Sequence, residues 1–104
     1  MNRQFDVYAS PLKAGRDERP FLIDIQHHFL ADRPSRVVAP LVVTSAIRPE
    51  PRLNPQLTVM GKRYYFSPTE IFTLSAKFLR SPVANLESER ERILVALDLM
   101  VLGI

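Results

Sequence analysis

Two neighbouring histidines, His27 and His28, are the only imidazoles in the chain. Imidazole is the side chain best suited to proton transfer near neutral pH. Asp24 and Asp32 lie close enough in sequence to orient one of them. A set of His27, His28 and Arg36 is the kind of group that cleaves RNA, and such a site assembles from distant residues. However, adjacent residues of a strand point to opposite faces, which keeps two imidazoles from sharing a metal or forming an acid–base pair. No third ligand stands at a recognised metal spacing. The residues therefore predict half-exposed imidazoles near a strand end, with no metal and no cofactor site.

A second candidate is the run Tyr64-Tyr65-Phe66, with Lys62 and Arg63 beside it. Aromatic rings next to cations can stack nucleobases. A hairpin would put alternate members on opposite faces, so the expectation is core aromatics plus one surface ring. Other chemistry is excluded by what is missing. There is no cysteine, hence no disulfide, zinc knuckle or thiol nucleophile. Three scattered glycines cannot form a phosphate-cradling loop, and no nucleophile elbow is present. The net charge is +3, and 11 of the 14 basic residues are arginine. The charge is spread evenly, so it gives nucleic-acid binding little support. Arginine suits recognition of carboxylates or phosphates better than lysine does.

The 104 residues predict one domain with one core over residues 1–104. The N-terminal residues carry no apolar stretch of the signal-peptide type. The longest apolar run, residues 93–104, is interrupted by Asp98 and is short of the ~20 residues of a membrane span. The reading is a cytoplasmic protein without a membrane contact.

All nine prolines fall between Pro11 and Pro82. Proline breaks helices and marks strand edges, so residues 4–82 read as a β body and residues 88–102 as a helix. Alternation predicts strands at residues 4–8, with Phe5 and Val7 on one face, and at residues 21–26, with Phe21, Ile23 and Ile25 together. Residues 36–43 are rich in β-branched side chains, and Pro40 suggests an edge or a bulge there. Residues 57–60 and 63–66 flank Gly61-Lys62 as a hairpin. Ser67-Pro68-Thr69-Glu70 has the form of a short helix start, and a strand is expected at residues 76–79. Residues 10–20 and 44–55 read as loops.

Ser88-Glu89-Arg90-Glu91 has the capping-box pattern, with Ser88 as N-cap. The helix that follows has one apolar stripe at Ile93, Leu97, Met100 and Ile104, enough to pack on a sheet. A second stripe runs through Val95, Leu99 and Leu102. Each such side chain contributes roughly 1.5–3 kcal/mol when removed from water. A small domain has difficulty covering both faces, so a second copy or another partner is expected on the second one.

In their order, these segments resemble the CcdB family, toxins of toxin–antitoxin pairs that poison DNA gyrase. The similarity runs from Gln4-Phe5-Asp6-Val7-Tyr8 through Ile23-Asp24-Ile25-Gln26 and Arg36-Val37-Val38-Ala39-Pro40-Leu41. It resumes at Leu53-Asn54-Pro55 and ends with Ser88-x-x-Glu91, Leu99-Met100 and Gly103-Ile104. The resemblance implies an SH3-like barrel with a small β wing and a C-terminal helix, and no catalytic residue, since the family acts by binding. It implies a homodimer, here through Val95, Leu99 and Met100, that binds the A subunit of DNA gyrase and traps the cleaved-DNA state. The gyrase-contacting positions match Phe29, Leu30, Asp98, Val101, Leu102, Gly103 and Ile104. The partner would be a CcdA-like antitoxin with an acidic, disordered tail, and DNA would be met only through the antitoxin complex, as a co-repressor. Charge places that tail near Arg16, Arg19, Arg48 and Arg52.

At three positions the chain departs from the best-known members. Leu102 stands where they carry Trp, Asp98 where they carry Asn, and Val101 where they carry Phe. Losing an aromatic anchor costs ~2–4 kcal/mol at an interface, roughly 30- to 1000-fold in affinity. Two alternatives follow. One is an mRNA endoribonuclease of the MazF and Kid type, which shares the fold. The other is a non-toxic homologue that only binds antitoxin.

Overall fold

The computed structural model describes residues 2–104. Seven strands form one antiparallel sheet: β1 (Asp6–Ala9), β2 (Phe21–Asp24), β3 (Ser35–Val43), β4 (Gln56–Val59), β5 (Lys62–Phe66), β6 (Phe72–Ser75) and β7 (Ala84–Asn85). Among the described residues a single α-helix, α1 (Arg90–Leu102), follows them. The spatial order is β4-β5-β3-β2-β1-β7, with β6 also on β3. The sheet curls into a nearly closed barrel of SH3-like form with the helix at its C-terminal end.

β3 organises the sheet. Its first half pairs with β6, from Ser35 opposite Ser75 to Val38 opposite Phe72. Its last residues pair with β5, from Leu41 opposite Phe66 to Val43 opposite Tyr64. On its other edge it pairs with β2, Ile23 lying opposite Ala39. Pro40 sits where the strand changes partner from β6 to β5, and its carbonyl accepts the Ser67 N–H at 3.1 Å. Of the edge or bulge its residue type suggests, the edge is not found: the proline lies in a central strand, in the gap between its two neighbours on one side.

Strand periodicity sorts the side chains into two cores. Phe5, Val7, Ile23, Ala39, Leu41, Leu57, Val59, Tyr64 and Phe66 face the helix, where Ile93 and Ala96 complete the larger cluster. Tyr8, Leu22, Val38 and Leu79 form a smaller cluster on the opposite face. The aromatic run obeys the alternation: Tyr64 and Phe66 are buried, while Tyr65 is half-buried and accepts a 3.3 Å hydrogen bond from Gln56.

Several boundaries differ from the sequence reading. β1 begins at Asp6 because Phe5 has φ +70°, a bend that still delivers its ring to the core. The β4–β5 turn is Met60-Gly61, both at positive φ (53° and 84°), one residue earlier than expected. Two positive φ values in a two-residue turn match the twist of the flanking strands. The strand expected at residues 76–79 lies at Phe72–Ser75, and Ala76–Phe78 is a 3-10 turn. Ser67 and Pro68 do open a short 3-10 turn, Pro68–Glu70, with the Ser67 hydroxyl 2.6 Å from Glu70.

The helix start also moves. Ser88 is not its N-cap: Glu87–Glu89 form a 3-10 turn and α1 begins after Glu89. The Asn85 side chain takes the Glu87 N–H at 2.9 Å, which starts that turn and displaces the predicted capping box. The helix ends because Gly103 adopts φ +76° and returns its N–H to the Leu99 carbonyl at 2.9 Å. Ile104 therefore leaves the stripe assigned to it and is exposed, so the packed face runs from Ile93 and Ala96 to Leu97.

Candidate functional site

The second stripe is left uncovered by the chain itself. Val95 is 50% exposed, and Leu99 and Met100 are half-buried. Beyond them the last turn and its cap present Val101 (70% exposed), Leu102 (63%) and Ile104 (82%), with Asp98 and Gly103 also in solvent. Sequence dictates this arrangement. Positions 95, 99 and 102 share a face turned away from Ile93 and Ala96, and the Gly103 turn adds Ile104 beside them. Val101, Leu102 and Ile104 are thus three of the more exposed large apolar side chains among the described residues, grouped at one end of the helix.

Phe29 and Leu30 occupy a 3-10 turn, His28–Leu30, after β2. Phe29 is 83% exposed and Leu30 half-buried. Within one chain they are not gathered with the helix end. The cleft beside this turn is bounded by His27, His28 and Ala31 on one side and by Glu87 and Arg90, at the start of α1, on the other. Arg90 and Leu102 are separated by most of a 13-residue helix, roughly 18 Å.

The histidines do not point to opposite faces, because β2 has already ended at Asp24. His27 is the N-cap of the 3-10 turn: its Nδ1 accepts the Phe29 N–H at 3.0 Å, and its ring lies 3.9 Å from that of His28. Both are exposed, whereas Arg36 is fully buried. Arg36 donates to Asp24 at 2.7 Å and reaches the Gln26 carbonyl at 3.4 Å. The set His27, His28 and Arg36 is therefore not assembled on one surface. Among the described residues no group of three or more His, Cys, Asp or Glu side chains could hold a metal ion, and no helix is long and apolar enough to cross a membrane.

The four loop arginines differ in availability. Arg16, Arg48 and Arg52 are exposed. Arg16 bonds the Leu12 carbonyl at 3.1 Å, and Arg52 stands 4.0 Å from Glu50. Arg19 is tied to Glu70 by bonds of 2.7 and 3.3 Å and to Glu18 at 3.2 Å. The bond to Glu70 raises the Arg19 pKa. Burial pushes the Glu70 carboxyl up, but Arg19 and the Ser67 hydroxyl outweigh it and hold it below the ordinary value. Arg52 also lines a groove of about 310 Å³ with Pro51, Pro55, Glu91, Arg92 and Val95. Sequence reading had no signal for this groove, which joins a loop to a helix some forty residues later.

Among curated proteins nothing matches the chain. The family model described as CcdB protein matches residues 4–103, nearly the whole of the sequence and all eight elements described above. With the barrel and its terminal helix, that match establishes that the chain belongs to the CcdB family, the toxins of toxin–antitoxin systems.

Proposed function

We propose that this CcdB family toxin acts by protein–protein contact, as a homodimer that binds the A subunit of DNA gyrase and traps the cleaved-DNA complex. The observation that carries the reading is the exposed apolar cluster Val101, Leu102 and Ile104 at the end of α1. Asp98 and Gly103 border it, and Phe29 with Leu30 supplies a second apolar point. A dimer through Val95, Leu99 and Met100 would cover the second stripe and present the cluster twice, as a two-fold docking surface requires. Because Phe29 and the helix end are far apart in one chain, a partner spanning both copies would meet all seven positions.

An acidic, CcdA-like antitoxin tail would find Arg16, Arg48 and Arg52 ready to pair. Arg19 would first have to give up Glu70. Such a tail would order on binding. Burial of Arg36 and exposure of His27 and His28 favour a binding protein over a ribonuclease built on those three residues.

The test is a supercoiling and cleavage assay with purified protein and gyrase. Inhibition with accumulation of cleaved DNA is expected. Uninhibited supercoiling with no cleaved complex at micromolar protein would overturn the gyrase reading.

A further inference from the structure

A cleft of about 440 Å³ lies beside the start of α1, away from the apolar cluster. Its volume is in the range of small-molecule sites. The amides around it are already used by the fold. Gln4 Nε2 donates to the Ile25 carbonyl at 3.2 Å, and Asn85 Nδ2 donates to the Gln4 carbonyl at 3.2 Å and to Asp6 at 2.9 Å.

The other groups lining it are mostly cationic donors, only partly engaged. Arg90 places one nitrogen 3.0 Å from Gln4 Oε1 and lies 3.9 Å from Glu87, the one carboxylate lining the cleft. The Arg3 guanidinium keeps only a 3.9 Å contact with Asp6, and the side chain is 72% exposed. His27 has its Nδ1 engaged as acceptor for the Phe29 N–H. A neutral ring so engaged carries its proton on Nε2 and offers that N–H as a donor. Guanidinium forks match the oxygens of a phosphate in geometry and charge.

We propose that this cleft binds a phosphate monoester, held by Arg3, Arg90 and the Nε2–H of His27, with the stacked His28 ring as one wall. The same imidazole caps the His28–Leu30 turn through Nδ1, so occupancy would be felt at the Phe29 amide it holds.

The test is a nuclear magnetic resonance titration of the full-length protein with adenosine monophosphate and, separately, inorganic phosphate, at ionic strength matched with chloride. Saturable shifts confined to Arg3, His27, His28 and Arg90 are expected, with the Phe29 amide following. Each of Arg3→Gln and Arg90→Gln should weaken binding about tenfold, the loss of one charge-assisted bond. Arg3→Gln changes a mostly exposed side chain and keeps the test valid if Arg90→Gln perturbs the helix. Equal affinity for both probes assigns the site to the phosphate alone, and tighter nucleotide binding assigns it to a nucleotide. Linear, non-saturating shifts spread over the surface arginines, or affinity undiminished in Arg3→Gln, would overturn the proposal.

Discussion

The Arg36 guanidinium donates through Nε to Asp24 across 2.7 Å with both side chains sealed from solvent. Burial pushes the Asp24 carboxyl up, while Arg36 and the Gln26 N–H pull it back. Removing one partner strands the other charge. Arg36→Met should destabilise the fold by about 3–5 kcal/mol, whereas Arg36→Met with Asp24→Leu should recover most of the loss. Urea denaturation of the three proteins checks this. A single variant as stable as the double one would contradict it.

The Arg19–Glu70 pair predicts a pH signature. The Glu70 carboxyl sits below its ordinary 4.5. Its contribution to stability is therefore present above that value and fades as pH falls through the lower folded-state value. Both side chains are about one-third exposed, so solvent screens the pair. Arg19→Gln should lose about 0.5–1 kcal/mol at neutral pH, and the difference from the natural protein should shrink in acid. Denaturation midpoints at about pH 7 and about pH 3 decide it.

Met60 holds φ 53° with its side chain largely in solvent. A thioether chain gains nothing from that conformation, and Asn tolerates it. Met60→Asn creates the preferred Asn-Gly turn and should stabilise the protein by about 0.5–1 kcal/mol. Thermal unfolding would show a raised midpoint. An unchanged or lowered one would count against the turn assignment.

Val95 lies mid-helix on the uncovered face. Val95→Glu should convert the proposed dimer to monomer in sedimentation equilibrium. Helix content by circular dichroism should stay the same, because Glu is a good helix former at an exposed site. Persistence of a dimer would move the interface elsewhere.

Leu102 is exposed where an aromatic anchor would lie on a docking surface. On the gyrase reading, Leu102→Trp should tighten binding to gyrase by roughly 30- to 1000-fold. Surface-bound gyrase fragment titrated with both proteins measures this. No gain would mean that the cluster is not the contact.

Much of this was legible in residue order. The alternation at Phe21, Ile23 and Ile25 placed β2, and the β-branched run placed β3. The β4–β5 hairpin and the short turn at Pro68 also followed from local chemistry. Two of the misses share one cause: a distant or side-chain bond outcompeted a local pattern. Asn85 captured the Glu87 N–H and moved the helix start. β7 has only two residues, too few for any periodicity, and exists because Asp6 and Val7 offer an edge to Asn85 and Ala84. Of the seven positions matched to a docking surface, five cluster at the helix end. Phe29 and Leu30 do not join them, because sequence spacing says nothing about which end of a helix a remote turn approaches.

The gap in β3 has a bearing on solubility. An unpaired stretch of strand ordinarily invites a strand from another molecule to add on. At Pro40 the ring nitrogen has no hydrogen to donate, and the carbonyl is already taken by Ser67. A foreign strand would find neither donor nor acceptor there. The longest strand of the barrel is thus closed to intermolecular β-association at the point where its neighbours change: Pro40 is buried there and its one polar group is already used within the chain.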